Sequence, residues 1–284
     1  MRIHHECVAC AINQCQKIVE MSLADEASRR KAMLFSLKRA SELFSEDSIP
    51  AVVGGLLFLD LYDFIGNNDP FENYKRVSNE VAKGLVGHFS GADLGMALKL
   101  AIAGNVVDFS TGYNPEKLEG DIKRVLEEDL YIDHSDELFR RLKGAKTLLY
   151  LVDNCGEIYF DRLFIEQLLE EFPHLRVTVA GKEGPIINDA TVEDLVNAGF
   201  GELAEVISTG SRLPGTPIEH VSDEFLEVFR SVDVIIAKGQ ANFETLSELN
   251  DSRIFFLLKA KCPAIAREIG VPMGSLLCLN SYLR

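Results

Sequence analysis

The sequence has no long hydrophobic run and few basic residues. No apolar stretch reaches the ~20 residues that a membrane-spanning helix needs. No apolar segment of the signal-peptide kind follows Met1–Glu6, so we expect a cytoplasmic protein without membrane contact. Acidic residues number 44 against 29 basic ones, which gives a formal net charge of −15. A polyanion would be repelled by such a surface, so general nucleic-acid binding is excluded as the expected function.

Several glycine-rich and cysteine-rich signatures are also missing. Six cysteines in 284 residues do not resemble a disulfide scaffold. The chain has no G-x-x-x-x-G-K-[ST] loop and no G-x-G-x-x-G after the first strand of its second half, which argues against P-loop and dinucleotide sites. It also has no G-x-S-x-G elbow, so an ordinary serine hydrolase is not supported.

The two halves of the chain differ in their hydrophobic pattern. Helical spacing dominates the first half, and it predicts helices at 24–45, 50–65, 71–88 and 91–103. In the second half, strand-like runs at 146–152, 175–180, 204–208, 232–237, 254–258 and 275–279 alternate with helical patterns at 157–172, 189–198, 222–230, 241–249 and 263–269. Such alternation predicts a mainly parallel sheet covered by helices. We therefore predict an α/β protein with a helical subdomain, residues 1–143, packed on a Rossmann-like three-layer α/β/α domain, residues 144–284.

Polar residues follow the predicted strands of the second half. Asp153 and Asn154 come directly after the first strand, and Asn188 and Asp189 lie in the segment that follows the second. Ligands of open α/β sheets bind outside the carboxyl ends of the strands. Carboxylate and amide oxygens there are suitable ligands for a divalent metal, so Asp153, Asn154 and Asp189 are predicted to bind one. Taken alone, Asn188-Asp189 is also typical of a helix N-cap.

Two lysines occupy corresponding positions after later strands. Lys238 ends one strand and precedes Gly239, and Lys261 lies shortly after the next strand. Both would bring positive charge to the edge of the sheet where the acidic residues are expected. We predict that they bind an anion there.

Cys7 and Cys10 form a C-x-x-C near the start of the chain. One such pair is half of a four-ligand metal site or a redox pair. His4, His5 and Cys262 are possible further partners. Two structural cysteines packed on one helical face are an equally acceptable interpretation.

Asn105 and Asp108 follow a predicted helix of small residues that ends at Gly104. Their spacing favours a C-terminal cap and the start of a turn. The alternative is that they reach into the cleft.

Together these motifs resemble a known family. Its marks in this chain are Cys7-x-x-Cys10, Gly104-Asn105-x-x-Asp108, Asp153-Asn154-x-Gly156-Glu157, Asn188-Asp189-Ala190-Thr191, Lys238-Gly239-x-Ala241-Asn242 and Lys261-Cys262. Their order and number are similar to those of the damage-control phosphatases, the ARMT-like metal-dependent phosphatases once known only as a domain of unknown function. Within them, the chain resembles the small archaeal-type members with an N-terminal C-x-x-C, and the resemblance spans essentially the whole chain.

The resemblance implies a function and a set of site residues. It implies that Asp153, Asn154 and Asp189 hold a divalent metal such as manganese, nickel, cobalt or magnesium. It implies hydrolysis of phosphate esters of small metabolites that are damaged or in surplus, and it pairs the C-x-x-C with Cys262. The catalytic set is then Asp153, Asn154, Asp189, Lys238 and Lys261, and the substrate-binding candidates are Glu157, Asn188, Lys238, Asn242, Lys261, Asn105 and Asp108.

The expected chemistry is attack by a metal-activated water, with lysines binding the phosphoryl group. Asp153 is a possible nucleophile, but phosphatases with an aspartyl nucleophile place a second Asp two residues later, where this chain has Cys155. One alternative function is an S-adenosyl-dependent carboxyl methyltransferase, which the missing glycine-rich loop disfavours. Another is a non-enzymatic metal or redox module built on Cys7 and Cys10.

Overall fold

The computed structural model of the chain describes residues 1–104 and 115–283, and the side chains of all of these except 115–119 and 121. Asn105 and Asp108, two of the predicted substrate-binding residues, therefore lie outside the described residues. Within the described part of the chain, no helix is both long and apolar enough to cross a membrane.

Helices fill the first part of the chain. They are α1 (His5–Ser22), α2 (Glu26–Leu43), α3 (Pro50–Ile65), α4 (Glu72–Val86), α5 (Leu94–Gly104), α6 (Pro115–Glu127) and α7 (Ser135–Gly144). The limits of α3 follow from local chemistry. Pro50 occupies the first turn, where its missing N–H costs nothing, and Gly66 ends the helix in the left-handed conformation at φ 68°.

The second part builds a seven-stranded sheet with the order β1-β7-β6-β5-β2-β3-β4. Its strands are β1 (Ile132–Asp133), β2 (Thr147–Leu151), β3 (Arg176–Gly181), β4 (Glu205–Ser208), β5 (Val234–Lys238), β6 (Ile254–Lys259) and β7 (Leu276–Leu279). All neighbours pair in parallel except β6 and β7, which are antiparallel. The helices between them are α8 (Glu157–Glu171), α9 (Val192–Asn197), α10 (Asp223–Ser231), α11 (Gly239–Leu246) and α12 (Pro263–Ile269). The predicted α/β class with a mainly parallel sheet is confirmed.

The helical part of the chain packs in two ways. Helices α4, α5 and α6 share one hydrophobic core with α8 and one face of the sheet. Helices α1, α2 and α3 build a separate core of their own, which Ile186 joins from the loop after β3. Strand β1 lies before residue 144 and pairs with β7. A two-residue strand carries no period-2 signal, which is why the sequence pattern did not indicate it.

The strand order reverses at β2. The chain passes from β2 to its neighbour β3 on one side, and later returns as β5 on the other side of β2. Such a switch point leaves a crevice at the carboxyl end of the strand, which is where open α/β sheets bind ligands. Asp153 and Asn154 stand directly beyond this end of β2.

Candidate active site

The loops after β2 and β3 are joined by backbone hydrogen bonds. The N–H of Ala190 donates to the carbonyl of Asp153 at 2.8 Å, and the N–H of Cys155 donates to the carbonyl of Asn188 at 2.9 Å. Asn154 and Asp189 consequently form an antiparallel bridge. This pairing brings together the three predicted metal ligands. Helix α9 begins later than its pattern suggested, because Thr191, and not Asn188 or Asp189, forms its capping box with Asp194.

Each of these loops is also held by a side chain from the helical part. Gly156 has a φ of 82°, and its N–H donates to Asn79 Oδ1 on α4 at 2.7 Å. Ile187 has a φ of 37°, a value that a β-branched residue rarely adopts, and its N–H donates to the hydroxyl of Tyr62 on α3 at 2.9 Å. Strained backbone of this kind persists only where surrounding contacts hold it. The helices therefore help to set the geometry of both loops.

The Asn154 amide is oriented by two carboxylates. Its Nδ2 donates to Asp153 Oδ2 at 2.7 Å and to Glu157 Oε2 at 3.1 Å. This use of the nitrogen leaves Asn154 Oδ1 as the atom that can bind a cation. Asp153 Oδ2 also lies against Gly239, where a Cβ would come within 1.8 Å of it, so only glycine permits this approach.

Lys182 lies beside the predicted metal ligands. Its Nζ is 3.7 Å from Asp189 Oδ2 and donates to the carbonyl of Gly215. Burial raises the pKa of Asp189 to about 8, and the negative charges of Asp153 and Glu157 act in the same direction, against the opposing effect of Lys182. Burial lowers the pKa of Lys182. Burial therefore disfavours the charged form of both members of the Lys182–Asp189 pair.

The residues fit a divalent cation. Asp189 Oδ2 is buried and has no hydrogen-bond partner among the described residues. A buried carboxylate oxygen is costly unless it is paired or coordinates a metal. Nowhere in residues 1–104 and 115–283 do three His, Cys, Asp or Glu side chains gather into a metal-binding cluster. A cation here would rely on Asp153 and Asp189 with the Asn154 amide oxygen as third ligand, an all-oxygen set.

The structure places Lys238 in a closed ionic cluster. Its Nζ lies 2.5 Å from Glu157 Oε1 and 2.5 Å from Asp161 Oδ1, and it donates to the carbonyl of Ala101 at 2.9 Å. All three charged side chains are fully buried. The Tyr150 hydroxyl donates to Asp161 Oδ1 at 2.7 Å. The Lys238 ammonium is thus engaged by three oxygens and does not point into the cleft as a cation for a ligand.

The other predicted site residues differ in burial and in hydrogen bonding. Asn242 is buried, with Nδ2 donating to the carbonyl of Lys238 at 2.7 Å and Oδ1 accepting from Thr216 at 2.7 Å. Asn188 is half-buried and contributes its carbonyl to the loop pairing. Lys261 is exposed, and its N–H donates to Gln240 Oε1 at 2.6 Å.

The cysteines Cys7, Cys10 and Cys262 line one cavity, and the thiols of all six cysteines are free. Burial raises the pKa of Cys7 and of Cys10, which disfavours the reactive thiolate. His4 and His5 lie near carboxylates, at 3.9 Å from Glu268 and 3.2 Å from Glu6 respectively.

The structure brings to the site four residues to which the sequence analysis assigned no role. Lys182 directly follows β3, so its position beyond a strand end was an available signal. Asp161 lies one helical turn after Glu157 on an otherwise apolar face of α8, and such an acidic pair predicts a buried cation. Tyr62 and Asn79 gave no signal, because their partners are more than 70 residues away in sequence.

Comparison with known proteins identifies the family of the chain. The family model of the damage-control phosphatase ARMT1-like domain matches residues 3–277. The chain is 53% identical to a damage-control phosphatase of Pyrococcus horikoshii over 100% of both chains, and 31% identical to a damage-control phosphatase of Archaeoglobus fulgidus over 97% of this chain and 98% of that one. A crystal structure of a DUF89 family protein from Pyrococcus horikoshii superposes with a TM-score of 0.96 at 53% identity, covering 99% of each chain. The chain therefore belongs to the damage-control phosphatase family with an ARMT1-like domain.

Proposed function

We propose that the protein is a metal-dependent phosphatase that hydrolyses phosphate monoesters of small metabolites in a house-cleaning role. The phosphatase activity follows from the family, and the metal site is our assignment. Asp153, Asn154 and Asp189 would hold the divalent cation, with manganese, nickel, cobalt and magnesium as candidates. The observation that carries this assignment is the buried Asp189 Oδ2 in the paired loops at the switch point, which accepts no hydrogen bond from a described residue and has only a 3.7 Å ion pair with Lys182.

The cation, when bound, supplies a lowered pKa for water and polarisation of the phosphoryl group. The chain itself prepares the ligands. Glu157 accepts from the Asn154 amide nitrogen and so turns the amide oxygen outward, and Lys238 fixes Glu157 through the contact at 2.5 Å. We therefore assign Lys238 a positioning role, in place of the direct phosphoryl contact expected from the sequence.

Lys182 and Lys261 are the lysines that we propose for contact with the phosphoryl group. Lys182 is the cation beside Asp189, and Lys261 is exposed next to Cys262, a residue that lines the neighbouring cavity. Asn188 lies in the same loop as Asp189 and is kept as a substrate-binding candidate. Asn242 would help to position Lys238 through its hydrogen bond to the Lys238 carbonyl. Six free cysteines suit a reducing compartment, and we propose the cytoplasm as the location.

The test is a metal titration after chelation, with p-nitrophenyl phosphate as substrate and calorimetry of Mn²⁺ binding as a second measurement. Activity is expected to return on addition of metal. Asp189→Asn and Asp153→Asn should each lower kcat/KM and metal affinity by more than the ~10–100-fold typical of residues that only support a ligand. Glu227→Gln, which removes an exposed carboxylate on α10, is the matched control and should behave like the wild type.

Two results would contradict the proposal. One is wild-type Mn²⁺ affinity in both aspartate variants. The other is calorimetric binding of S-adenosylmethionine by a chain that hydrolyses no phosphate ester with any of the four metals, which would favour the methyltransferase alternative.

A further inference from the structure

A cavity of about 640 Å³ lies between helices α1 and α3 on one side and the amino ends of α11 and α12 on the other. Its wall is mostly apolar. Among the residues that shape it are Phe58, Ile187, Pro214, Gln240, Glu244 and Cys262. The volume is in the range of small-molecule binding sites, which are typically apolar with a few polar groups that fix orientation.

Two chain segments connect this cavity with the predicted metal ligands. Ile187 lines it and stands two residues before Asp189 in the loop after β3. Gln240 lines it and directly follows Gly239, on which a Cβ would come within 1.8 Å of Asp153 Oδ2. The cavity therefore lies beside the segments that contact or carry Asp153 and Asp189, and an ester substituent of a phosphoryl group bound there could extend into it.

The charge of the wall is one-sided. None of the described residues that line the cavity is a lysine or arginine, whereas Glu6 and Glu244 are both present, and the basic residue His5 lies 3.2 Å from Glu6. Glu6 is neutralised by Arg267 at 2.7 Å. Burial raises the pKa of Glu244 to about 7, against the opposing effects of the hydrogen bond from the Ala51 N–H and of the N-terminal ammonium. Above that pH, Glu244 is the negative charge that a substituent inside the cavity would meet.

A second cavity, of about 650 Å³, lies between α4 and α9 and is different in character. It contains Lys75, Arg76 and Lys83 together with a larger number of carboxylates. Lys75 is already paired with Asp69 at 2.6 Å. Of these two cavities, only this one has lysine or arginine side chains among its described lining residues.

We infer that the apolar cavity receives the organic part of the substrate and selects phosphomonoesters of uncharged, largely apolar alcohols against those that carry a second anionic group. This rests on the proposed function, whose phosphoryl site it extends. The physical reason is that an anionic substituent would lose water in an apolar wall, with no lysine or arginine among the described lining residues to compensate and with Glu244 to repel it.

The test compares two substrates that differ in one charge. They are 4-(carboxymethyl)phenyl phosphate and its methyl ester, which have closely similar leaving groups. At about pH 8.5, where Glu244 is ionised, the metal-loaded protein is expected to prefer the methyl ester by about tenfold or more in kcat/KM. Glu244→Gln should narrow that preference at least about threefold, whereas the control Glu227→Gln should leave it unchanged.

A second variant tests the place of the cavity independently of charge. Gly54 on α3 lines it, and a Cβ there would meet only the Phe58 ring, at 3.7 Å. We expect Gly54→Leu to lower kcat/KM for the methyl ester about tenfold relative to kcat/KM for ethyl phosphate. The leucine side chain would fill the space that the larger substituent needs. Gly84→Leu, on the exposed side of α4, is the matched control.

The outcomes separate this inference from the proposed function. Hydrolysis of both esters at equal rates, or a preference that neither Glu244→Gln nor Gly54→Leu changes, would overturn the inference while the phosphatase assignment stands. Absence of hydrolysis with every metal would overturn the phosphatase assignment. The cavity would then be judged by calorimetry with the two corresponding benzylphosphonates, where tighter binding of the uncharged one supports the inference and equal binding rejects it.

Discussion

Two buried lysines at strand ends each face two carboxylates, but the distances of their contacts differ. Lys238 faces the carboxylates of Glu157 and Asp161, and Lys182 faces those of Asp153 and Asp189. Each cluster thus contains one ammonium and two carboxylates. We call the cluster of Lys238, Glu157 and Asp161 the closed cluster, and that of Lys182, Asp153 and Asp189 the open cluster. The Lys238 contacts are 2.5 Å long and fully buried, whereas Lys182 stands 3.7 Å from Asp189 and Asp153 keeps 8% of its surface exposed.

The difference shows two ways to compensate the same excess of negative charge. In the closed cluster a proton can do so, because burial raises the pKa of Asp161 to about 7 and Tyr150 donates to the same carboxylate. In the open cluster Asp189 Oδ2 is also buried, and burial raises the pKa of Asp189 to about 8, but the Asp153 carboxylate and the Asn154 amide add further oxygens, and this all-oxygen set suits a cation. A buried charge cluster is therefore informative about function only when the full set of donor atoms around it is known.

Replacing Lys238 should have the largest effect on stability. Lys238→Met leaves Glu157 and Asp161 as uncompensated buried carboxylates, so we expect a loss of about 3–5 kcal/mol in the free energy of unfolding. Added Mn²⁺ should not restore it, since the cluster is closed to the cleft. Urea denaturation with and without metal measures this, and Lys143→Met, on the exposed end of α7, is the control. Full rescue by metal would show that Lys238 belongs to the open cluster.

Lys182→Met should cost less and respond to metal. We expect a loss of about 2 kcal/mol in the metal-free protein, most of which saturating Mn²⁺ restores because the cation binds the native state and replaces the missing positive charge. Phosphatase kcat/KM should nevertheless fall by about a hundredfold, because the phosphoryl group loses its neighbouring lysine. A variant that is as unstable with metal as without it would place Lys182 in the same class as Lys238.

The third effect concerns the pH dependence of stability. The pKa of Asp161 is higher in the folded protein than in the unfolded chain, so the native state binds the extra proton. Its contribution to stability is then complete below about pH 4 and is lost as the pH rises toward 7, with a slope of at most about 1.4 kcal/mol per pH unit. Asp161→Asn should flatten this slope, and exposed Asp129→Asn should not. Thermal unfolding between those pH values measures it, and an unchanged slope in Asp161→Asn would exclude a proton in the closed cluster.

The smallest effect is expected at Tyr62, which supports the open cluster from a distance. Tyr62→Phe removes the acceptor for the strained Ile187 N–H, which should cost about 1 kcal/mol of stability. Because Ile187 precedes Asp189 by two residues, the Mn²⁺ concentration for half activation should rise about fivefold, a change that general destabilisation would not cause. Tyr282→Phe, 65% exposed, serves as the control. A lower Tm with unchanged metal activation would limit Tyr62 to packing.

Much of the fold was predictable because its signals are local. The alternation of strand and helix patterns after residue 145 predicted the mainly parallel sheet, and the residues beyond β2 marked the edge at which the loops meet. The antiparallel setting of β7 was not predictable, since strand direction depends on the path of the chain and not on the strand itself.

What the sequence determined by itself is the set of elements and the chemistry offered at their ends. Pro50 and Gly66 delimit α3, and Asp153 and Asn154 must follow β2, because helix limits and strand ends obey nearest-neighbour preferences. Only the tertiary structure decided which lysine serves which carboxylates. Lys238 and Lys182 both stand at the carboxyl end of a buried strand, yet Lys238 meets Glu157, 81 residues away, under the carbonyl of Ala101 on α5. Such an ion pair depends on which helix covers which face of the sheet. Once the charged groups are buried, water can no longer solvate them, so their stability depends on the ion pairs that they form.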